Sequence, residues 1–416
     1  MKTPTKTQVI EFEQVVERGC GMDVHKETVV ATVAGIGIKQ ETRTFSTFTN
    51  SLEEMKEWLK SLGITTVAME STGIYWKPIF NILEVDFEIL LVNARHVKNV
   101  PGHKTDKRDS RWLTKLLLSG LLKGSFIPPV EIRQLRDLFR YKKKLTGQVS
   151  AEKNRLQKIL EDANLKLTSV VSDTFGVSAT KIIDALLAGE ENIAELLKLC
   201  HGKLKPKEEA LKEALVGKLT EHHKFMLRTI KESIKQIEEI IAKVDKQINV
   251  QTKAYEVEIE LLQTIPGVGK DSAIGIIAEI GVEMEQFPNE QHLASWAGMS
   301  PGNNESAGKK KSSRTTHGDK YLKVVLVEAG WGASRTKNTY LRSKYESLVA
   351  RRGKKRALIA IGHKILCAAY FIIKNKEPYL ELGAEYLESR RTKNQVQSLL
   401  DKLKNLGLEV EIKQAS

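Results

Sequence analysis

The chain has 416 residues, carries 66 Lys and Arg against 52 Asp and Glu, and has a formal net charge of +14; this length allows two or three domains, and the charge favours a polyanionic partner. Cys20, Cys200 and Cys367 are far apart and show no CxxC spacing, which argues against a disulfide framework or a zinc ribbon and fits a reducing cytoplasm. The start, MKTPTKTQVIEFEQ, lacks the apolar core of a signal peptide and no stretch approaches the apolar length that crosses a bilayer, so a soluble cytoplasmic protein is expected.

Residues 18–127 alternate β-rich runs with helical patterns. An apolar run ends on Asp23 in CGMDVHK, and residues 28–34 form a second β-rich run, which predicts a hairpin. Residues 65–69 lead to Glu70 in VAMESTG, and a run over 87–92 leads into the segment HKTDKRDS with Asp106 and Asp109. Carboxylates at strand ends lie at the edge where open α/β sheets place their sites, and four of them suggest a metal site for phosphate chemistry. Trp112, Leu113, Leu116, Leu117 and Leu121 have helical spacing; a helix that began near Asp106 would turn Asp106 and Asp109 to one side. Each carboxylate also has a plainer reading: Asp23 ends a strand, Glu70 caps a helix, and Asp109 is an acid favoured by a helix dipole. His25 and His103 flank these clusters, either lining the site or, as is more common, hydrogen bonding at the surface, and Tyr75 and Trp76 start the helix after Glu70, where core packing is favoured over base stacking.

Pro128-Pro129 marks a change of character. Apolar residues from Ile132 to Ala163 predict a long amphipathic helix, and Leu227, Ile230, Ile234, Ile237, Ile241, Val244 and Ile248 keep a coiled-coil spacing. Between them lie shorter helices and a charged linker over 203–209; the whole reads as a helical arm, either a dimerisation stalk or a nucleic-acid-gripping spacer. The stretch LLQTIPGVGKDSAIGIIAEIG has a helix-hairpin-helix signature: Gly267 and Gly269 permit a tight turn, and the helix start at Lys270 can receive a phosphate, although such a turn can also simply pack two helices. Residues 299–318 are polar and Gly-rich, which predicts a loop. Within it Lys309, Lys310, Lys311 and Arg314 can hold a phosphate beside a nucleophilic serine, but Ser300, Ser306, Ser312, Ser313 and Ser334 compete and composition does not choose among them. From Lys309 to Lys364 there are sixteen Lys or Arg and three acidic residues, Asp319, Glu328 and Glu346, an asymmetry suited to a phosphate backbone.

The segments GMDVHK, ESTGIYW, KTDKRD, IPGVGK, ASWAGMSPGNNESAGK and KNKEPY, in this order, resemble the DEDD transposases of the insertion-sequence 110 and 1111 family, whose members include bridge-RNA-guided recombinases. The resemblance implies an N-terminal extension (1–17), an α/β RuvC-like domain of RNase H fold (18–127), an α-helical coiled-coil arm (128–255), a mainly α C-terminal transposase domain with the helix-hairpin-helix (256–380) and a helical tail (381–416). It implies a tetrad of Asp23, Glu70, Asp106 and Asp109 that binds Mg²⁺, and a nucleophile at Ser306, with Ser300 in reserve because Ala307 here separates Ser306 from Gly308. It further implies target and donor DNA as substrates, an element-encoded bridge RNA as guide, a covalent phosphoserine intermediate, and homo-oligomers from dimer to tetramer without a membrane. Two other readings stay open: a RuvC-like metal-dependent junction nuclease without a serine nucleophile, and a non-catalytic nucleic-acid-binding protein.

Overall fold

The structure, a computed structural model, describes residues 15–71, 73–93, 109–302, 304–312 and 314–406, with the backbone alone at 203, 304–306, 310–312, 391 and 394. The chain divides into two units, Met1–Ile127 and Pro128–Ser416.

The first unit is built on a five-stranded mixed sheet. Strands β1 (Arg18–Val24), β2 (Thr28–Gly35) and β3 (Ile38–Ser46) form an antiparallel meander, which contains the hairpin expected after Asp23. Helix α1 (Thr49–Ser61) then returns the chain to β4 (Thr66–Glu70), parallel to β1, and α2 (Trp76–Leu83) returns it to β5 (Glu88–Val92), parallel to β4. The order is β3-β2-β1-β4-β5. Successive side chains on a strand alternate faces. Cys20, Met22 and Val24 on β1 and Val67 and Met69 on β4 share one core with Leu52, Met55 and Leu59 of α1 and Ile79 and Leu83 of α2. Burial pushes the Cys20 thiol far up, so it serves as a protonated apolar filler.

The opposite face carries Gly19, Gly21 and Asp23, and against it lies α3 (Asp109–Leu118). Here the contact is backbone to backbone. A Cβ on Gly21 would stand 2.4 Å from the Thr114 amide nitrogen and 2.5 Å from the Ser110 carbonyl oxygen. Buried hydroxyls fill the seam. Thr114 Oγ1 accepts the Gly21 N–H at 3.0 Å and lies within donating distance of the carbonyls of Thr32 and Ser110, while the Thr32 and Ser110 hydroxyls are 2.8 Å apart.

In the second unit, α4 (Val130–Asp162) spans the long amphipathic pattern. Four short helices follow: α5 (Leu167–Val170), α6 (Val177–Ala188), α7 (Ile193–Lys198) and α8 (Glu208–Ala214). The charged segment expected as a linker over 203–209 is instead a 3-10 turn (Gly202–Lys207) running into α8, because Leu204 and Leu211 pack into the helical core and leave the charges outside. Then α9 (Glu221–Gln251) runs back along α4. The pairs Asp162–His223 at 3.0 Å, Lys153–Glu238 at 3.8 Å and Lys142–Asp245 at 2.7 Å show that the two are antiparallel. The apolar seam of α9 therefore meets a partner within its own chain: Leu227, Ile230, Ile234 and Ile248 are buried, and Ile237, Ile241 and Val244 half-buried.

The rest is helical apart from one hairpin: α10 (Glu256–Gln263), α11 (Lys270–Ile280), α12 (Glu290–Trp296), strands β6 (Asn304–Ser306) and β7 (Lys309–Ser312), then α13 (Lys320–Ala333), α14 (Tyr340–Arg352), α15 (Lys354–Asn375) and α16 (Tyr386–Asn405). By length and composition α15 could cross a membrane, contrary to the expectation that no stretch comes near this. Its apolar residues are used within the fold: Leu358, Ile361, Ile365, Leu366, Tyr370 and Ile373 are buried in the unit's core.

An ionic cluster joins α4 to this helical core. Arg140 donates from Nε and Nη2 to the two carboxylate oxygens of Glu279 at 2.8 and 2.6 Å, and from Nη2 to Asp319 at 2.7 Å. Arg136 donates to the backbone carbonyls of Ala278 and Glu279. Glu279 is fully buried; burial pushes its carboxyl above the usual range, against the pull of Arg140. Arg136 Nε also lies 3.2 Å from Glu279 Oε2, so removing Arg140 leaves the buried carboxylate with one guanidinium in place of two and takes the guanidinium from Asp319.

Two stability measurements follow from this packing. Arg140→Met is expected to destabilise the chain by about 3 kcal/mol in urea unfolding, and a change near zero would show the cluster to be dispensable. Gly21→Ala must push α3 off β1, at about 1–3 kcal/mol, whereas Ala31→Gly on the facing strand should leave hydrogen exchange at the α3 amides as it is; protected α3 amides in Gly21→Ala would rule out the close approach.

Candidate active site and nucleic-acid contacts

Asp23 and Glu70 stand at corresponding places on neighbouring strands. The parallel register pairs Met22 with Met69, so each carboxylate is the next residue along, at the C-terminal end of its strand. Both leave the apolar core to Met22 and Met69 and fall on the sheet face that carries α3. Helix α3 runs antiparallel to β1, since Ser110 and Thr114 lie over Gly21 whereas Leu117 and Leu118 lie over Gly19. Its first described residue, Asp109, is thereby brought to the strand end that holds Asp23. The sheet edge where parallel strands diverge to either side is where open α/β folds place their chemistry.

Asp23 is half-buried, and its Oδ2 lies 3.1 Å from Nε2 of the exposed His25. Of the two roles the sequence leaves for His25, lining the site or hydrogen bonding at the surface, this contact with Asp23 is compatible with both, since the ring is exposed and also touches the carboxylate. Asp106 and His103 lie outside the described residues. Among the described residues, no three His, Cys, Asp or Glu side chains gather closely enough to hold an ion by themselves. The donors are nonetheless all carboxylate oxygens, which suit Mg²⁺, an ion that binds through one or two carboxylates and completes its shell with water and substrate phosphate oxygens.

The segment expected as a loop over 299–318 is a β-hairpin. Register pairs Asn304 with Ser312, Glu305 with Lys310, and Ser306 with Lys309, and the ladder continues at its base through a bridge between Pro301 and Thr315. The turn explains why composition misled. Ala307 and Gly308 both have positive φ, 50° and 73°, as a two-residue type I′ turn requires, but the flanking residues are too polar to read as strands. Ser306 is thus the last strand residue before the hairpin tip, while Ser300 sits half-buried at its base, its carbonyl accepting the Thr316 N–H at 3.2 Å. Ser312 is on β7, Ser313 lies outside the described residues, and Ser334 follows α13 with its hydroxyl bonded to the Trp331 carbonyl. Lys309, Lys310 and Lys311 are consecutive on β7, and Arg314 follows it.

The hairpin base is clamped. A Cβ on Gly318 would meet the Gly298 backbone nitrogen at 2.2 Å, so the two chain ends pass in contact. Just beyond, Asp319 caps α13 by accepting the amides of Tyr321 and Leu322, and also receives Arg140.

The PGVG turn joins α10 to α11, and its two glycines have different uses. Gly267 has φ 86°, and a Cβ there would lie 2.2 Å from the Ala333 nitrogen, so the turn is pressed against the end of α13 and this glycine is spent on packing. Gly269, at the start of α11, has open space around it, and Lys270 is exposed.

Comparison with known proteins places both ends of the chain in one family, the first match running past Ile127 into α4. Residues 20–165 match the family model DEDD_Tnp_IS110, described as Transposase, and residues 259–346 match the model described as Transposase IS116/IS110/IS902 family. Two curated relatives, the pilin gene-inverting proteins of Moraxella lacunata and Moraxella bovis, are each 25% identical over 376 residues, covering 86% of this chain and 96% of the relative. With the mixed sheet in one unit and the helical remainder in the other, the chain belongs to the IS110 family of transposases, enzymes that act on DNA.

Proposed function

We propose that this transposase cuts and rejoins the DNA of an insertion sequence through a covalent phosphoserine intermediate. The observation that carries the reading is that Asp23, Glu70 and the start of α3 lie toward the same end of a sheet ordered β3-β2-β1-β4-β5. That order, with an antiparallel meander followed by two parallel strands, supports a RuvC-like, RNase H-type domain. Asp23, Glu70, Asp109 and Asp106 would hold Mg²⁺, whose charge, when it is bound, supports the phosphate through the change of bonding.

Ser306 is the proposed nucleophile. A strand-end position beside a tight turn is a firmer mount than a free loop, and three lysines follow on the returning strand. Its hydroxyl oxygen attacks the scissile phosphorus as the bond to the 3′ oxygen breaks. The serine proton passes to a base, and the departing oxygen takes a proton to become a free 3′-hydroxyl. Attack by a different 3′-hydroxyl on the phosphoserine then reseals the strand and returns the serine, with the number of phosphodiester bonds unchanged and no nucleotide consumed. The relatives' name, which describes inversion of a pilin gene, supports rejoining over hydrolysis.

Target choice is assigned to an element-encoded bridge RNA, with the protein holding backbone and shape. The basic stretch from Lys309 to Lys364 supports this, and so does the want of any zinc-binding Cys pattern. The working form is a homo-oligomer, from dimer to tetramer, because recombination needs at least four strand cuts.

Trapping on labelled DNA tests the chemistry. Ser306→Ala should abolish a denaturation-resistant protein–DNA adduct while Ser300→Ala retains it, and Asp23→Asn, Glu70→Gln or EDTA should each cut adduct formation by about 100-fold or more. Cleavage that persists in Ser306→Ala but dies in the carboxylate variants would leave a hydrolytic nuclease. For the guide, sequencing of nucleic acid co-purified with the protein should return one structured RNA; unimpaired site choice after ribonuclease treatment would mean that the protein selects its target alone.

A further inference from the structure

The corner between α14 and α15 concentrates positive charge in a way found nowhere else among the described residues. Arg351 and Arg352 end α14, Gly353 turns the chain with φ 75°, and Lys354, Lys355 and Arg356 open α15. All five cationic side chains are exposed. Among the described residues none of the five has an ion-pair partner within reach, whereas cations on other helices commonly pair one turn away, as in Lys198–Glu195, Lys212–Glu209 and Lys224–Glu221. From Tyr340 to Arg356 the sole acid is Glu346, and it is taken up by Arg342 at 2.9 Å.

This arrangement works against folding. Five like charges in six residues repel one another, and the three on the first turn of α15 also oppose the positive end of a 22-residue helix dipole, with no acidic residue there to offset it. Nothing in the packing demands it, because the buried face of α15 begins only at Ala357 and Leu358. Charge kept at a cost to stability marks an interaction surface. The partner must be a dense polyanion that reaches several cations at once, and a duplex backbone carries one charge per about 1.7 Å of axis.

We propose that this Arg-Arg-Gly-Lys-Lys-Arg corner is a docking surface for the phosphate backbone of duplex DNA, outside the residues assigned to the chemistry. The assignment of DNA as the polyanion rests on the recombinase reading. The corner positions DNA without reading its sequence, since extended cationic side chains on a helix corner meet phosphates as point charges.

The test is the salt dependence of binding to a non-cognate DNA duplex, measured with the full-length protein without Mg²⁺, so that it is independent of cleavage. Replacing all five cations by Gln should lower the slope of log affinity against log salt by about 0.9 for each phosphate no longer neutralised, some three to four units in total. A charge-matched control, Gln at Lys56, Lys166, Lys198, Lys212 and Lys224, should lower it by less than one unit. Lys354→Gln/Lys355→Gln should lower it by about two while leaving the melting temperature unchanged or raised, which separates a weaker grip on phosphate from a damaged fold. An unchanged slope in the five-residue variant, an equal decrease in the control, or a decrease seen only with a single-stranded RNA probe would each overturn the proposal. Disappearance of the phosphoserine adduct with the slope intact would instead count against the recombinase reading alone.

Discussion

A missing methyl group governs the N-terminal unit. Because residue 21 has no side chain, α3 can rest its backbone on β1, and its antiparallel run brings Asp109 to the strand end that carries Asp23. The tightness of that seam then sets what fills it. Around Gly21 short hydroxyl side chains fill it, and Thr32, Ser110 and Thr114, all buried, satisfy one another and the Gly21 amide, while Leu117 and Leu118 cover Gly19. A backbone contact with few soft side chains is stiffer than an interface of Leu and Met.

The C-terminal unit solves a related problem by charge. Its polar hairpin has little apolar surface with which to anchor itself. Its base is fixed instead by the Gly298–Gly318 crossing and by Asp319, which caps α13 and receives the same guanidinium that forks onto buried Glu279. One arginine on α4 thus ties the root of the long helix pair, the end of α11 and the exit of the hairpin together. A buried ion pair of this kind adds little net stability over an apolar contact, but it specifies one arrangement and penalises others.

Much of the fold was legible along the chain. The β-rich runs ending at Asp23, Glu70 and Val92 are strands, and the long amphipathic patterns are α4 and α9, because local periodicity reports which face an element buries. The hairpin holding Ser306 is hidden in the sequence, since two short strands made of polar residues have no apolar alternation to show. The helical turn over 202–207 is masked by its lysines, and α15 by charges at its start that precede a long apolar run. Of the site, the carboxylates were readable as strand-end acids, but Glu279 and the hydroxyl seam were not. A lone Glu in IIAEIG or a Thr in WLTKLLL has no local signature, because its partners lie more than a hundred residues away or on another strand.

The sequence by itself determined composition, charge asymmetry, the ordered motifs and the period of each element, since these depend only on neighbours within a turn or two. Tertiary structure alone decided which strand ends lie side by side, where α3 comes to rest, and which residue of α4 meets Glu279. It also settled that the apolar seam of α9 is met within the chain. Those outcomes depend on close approach between segments far apart in the chain, where a single Cβ or an unpaired charge outweighs any local preference.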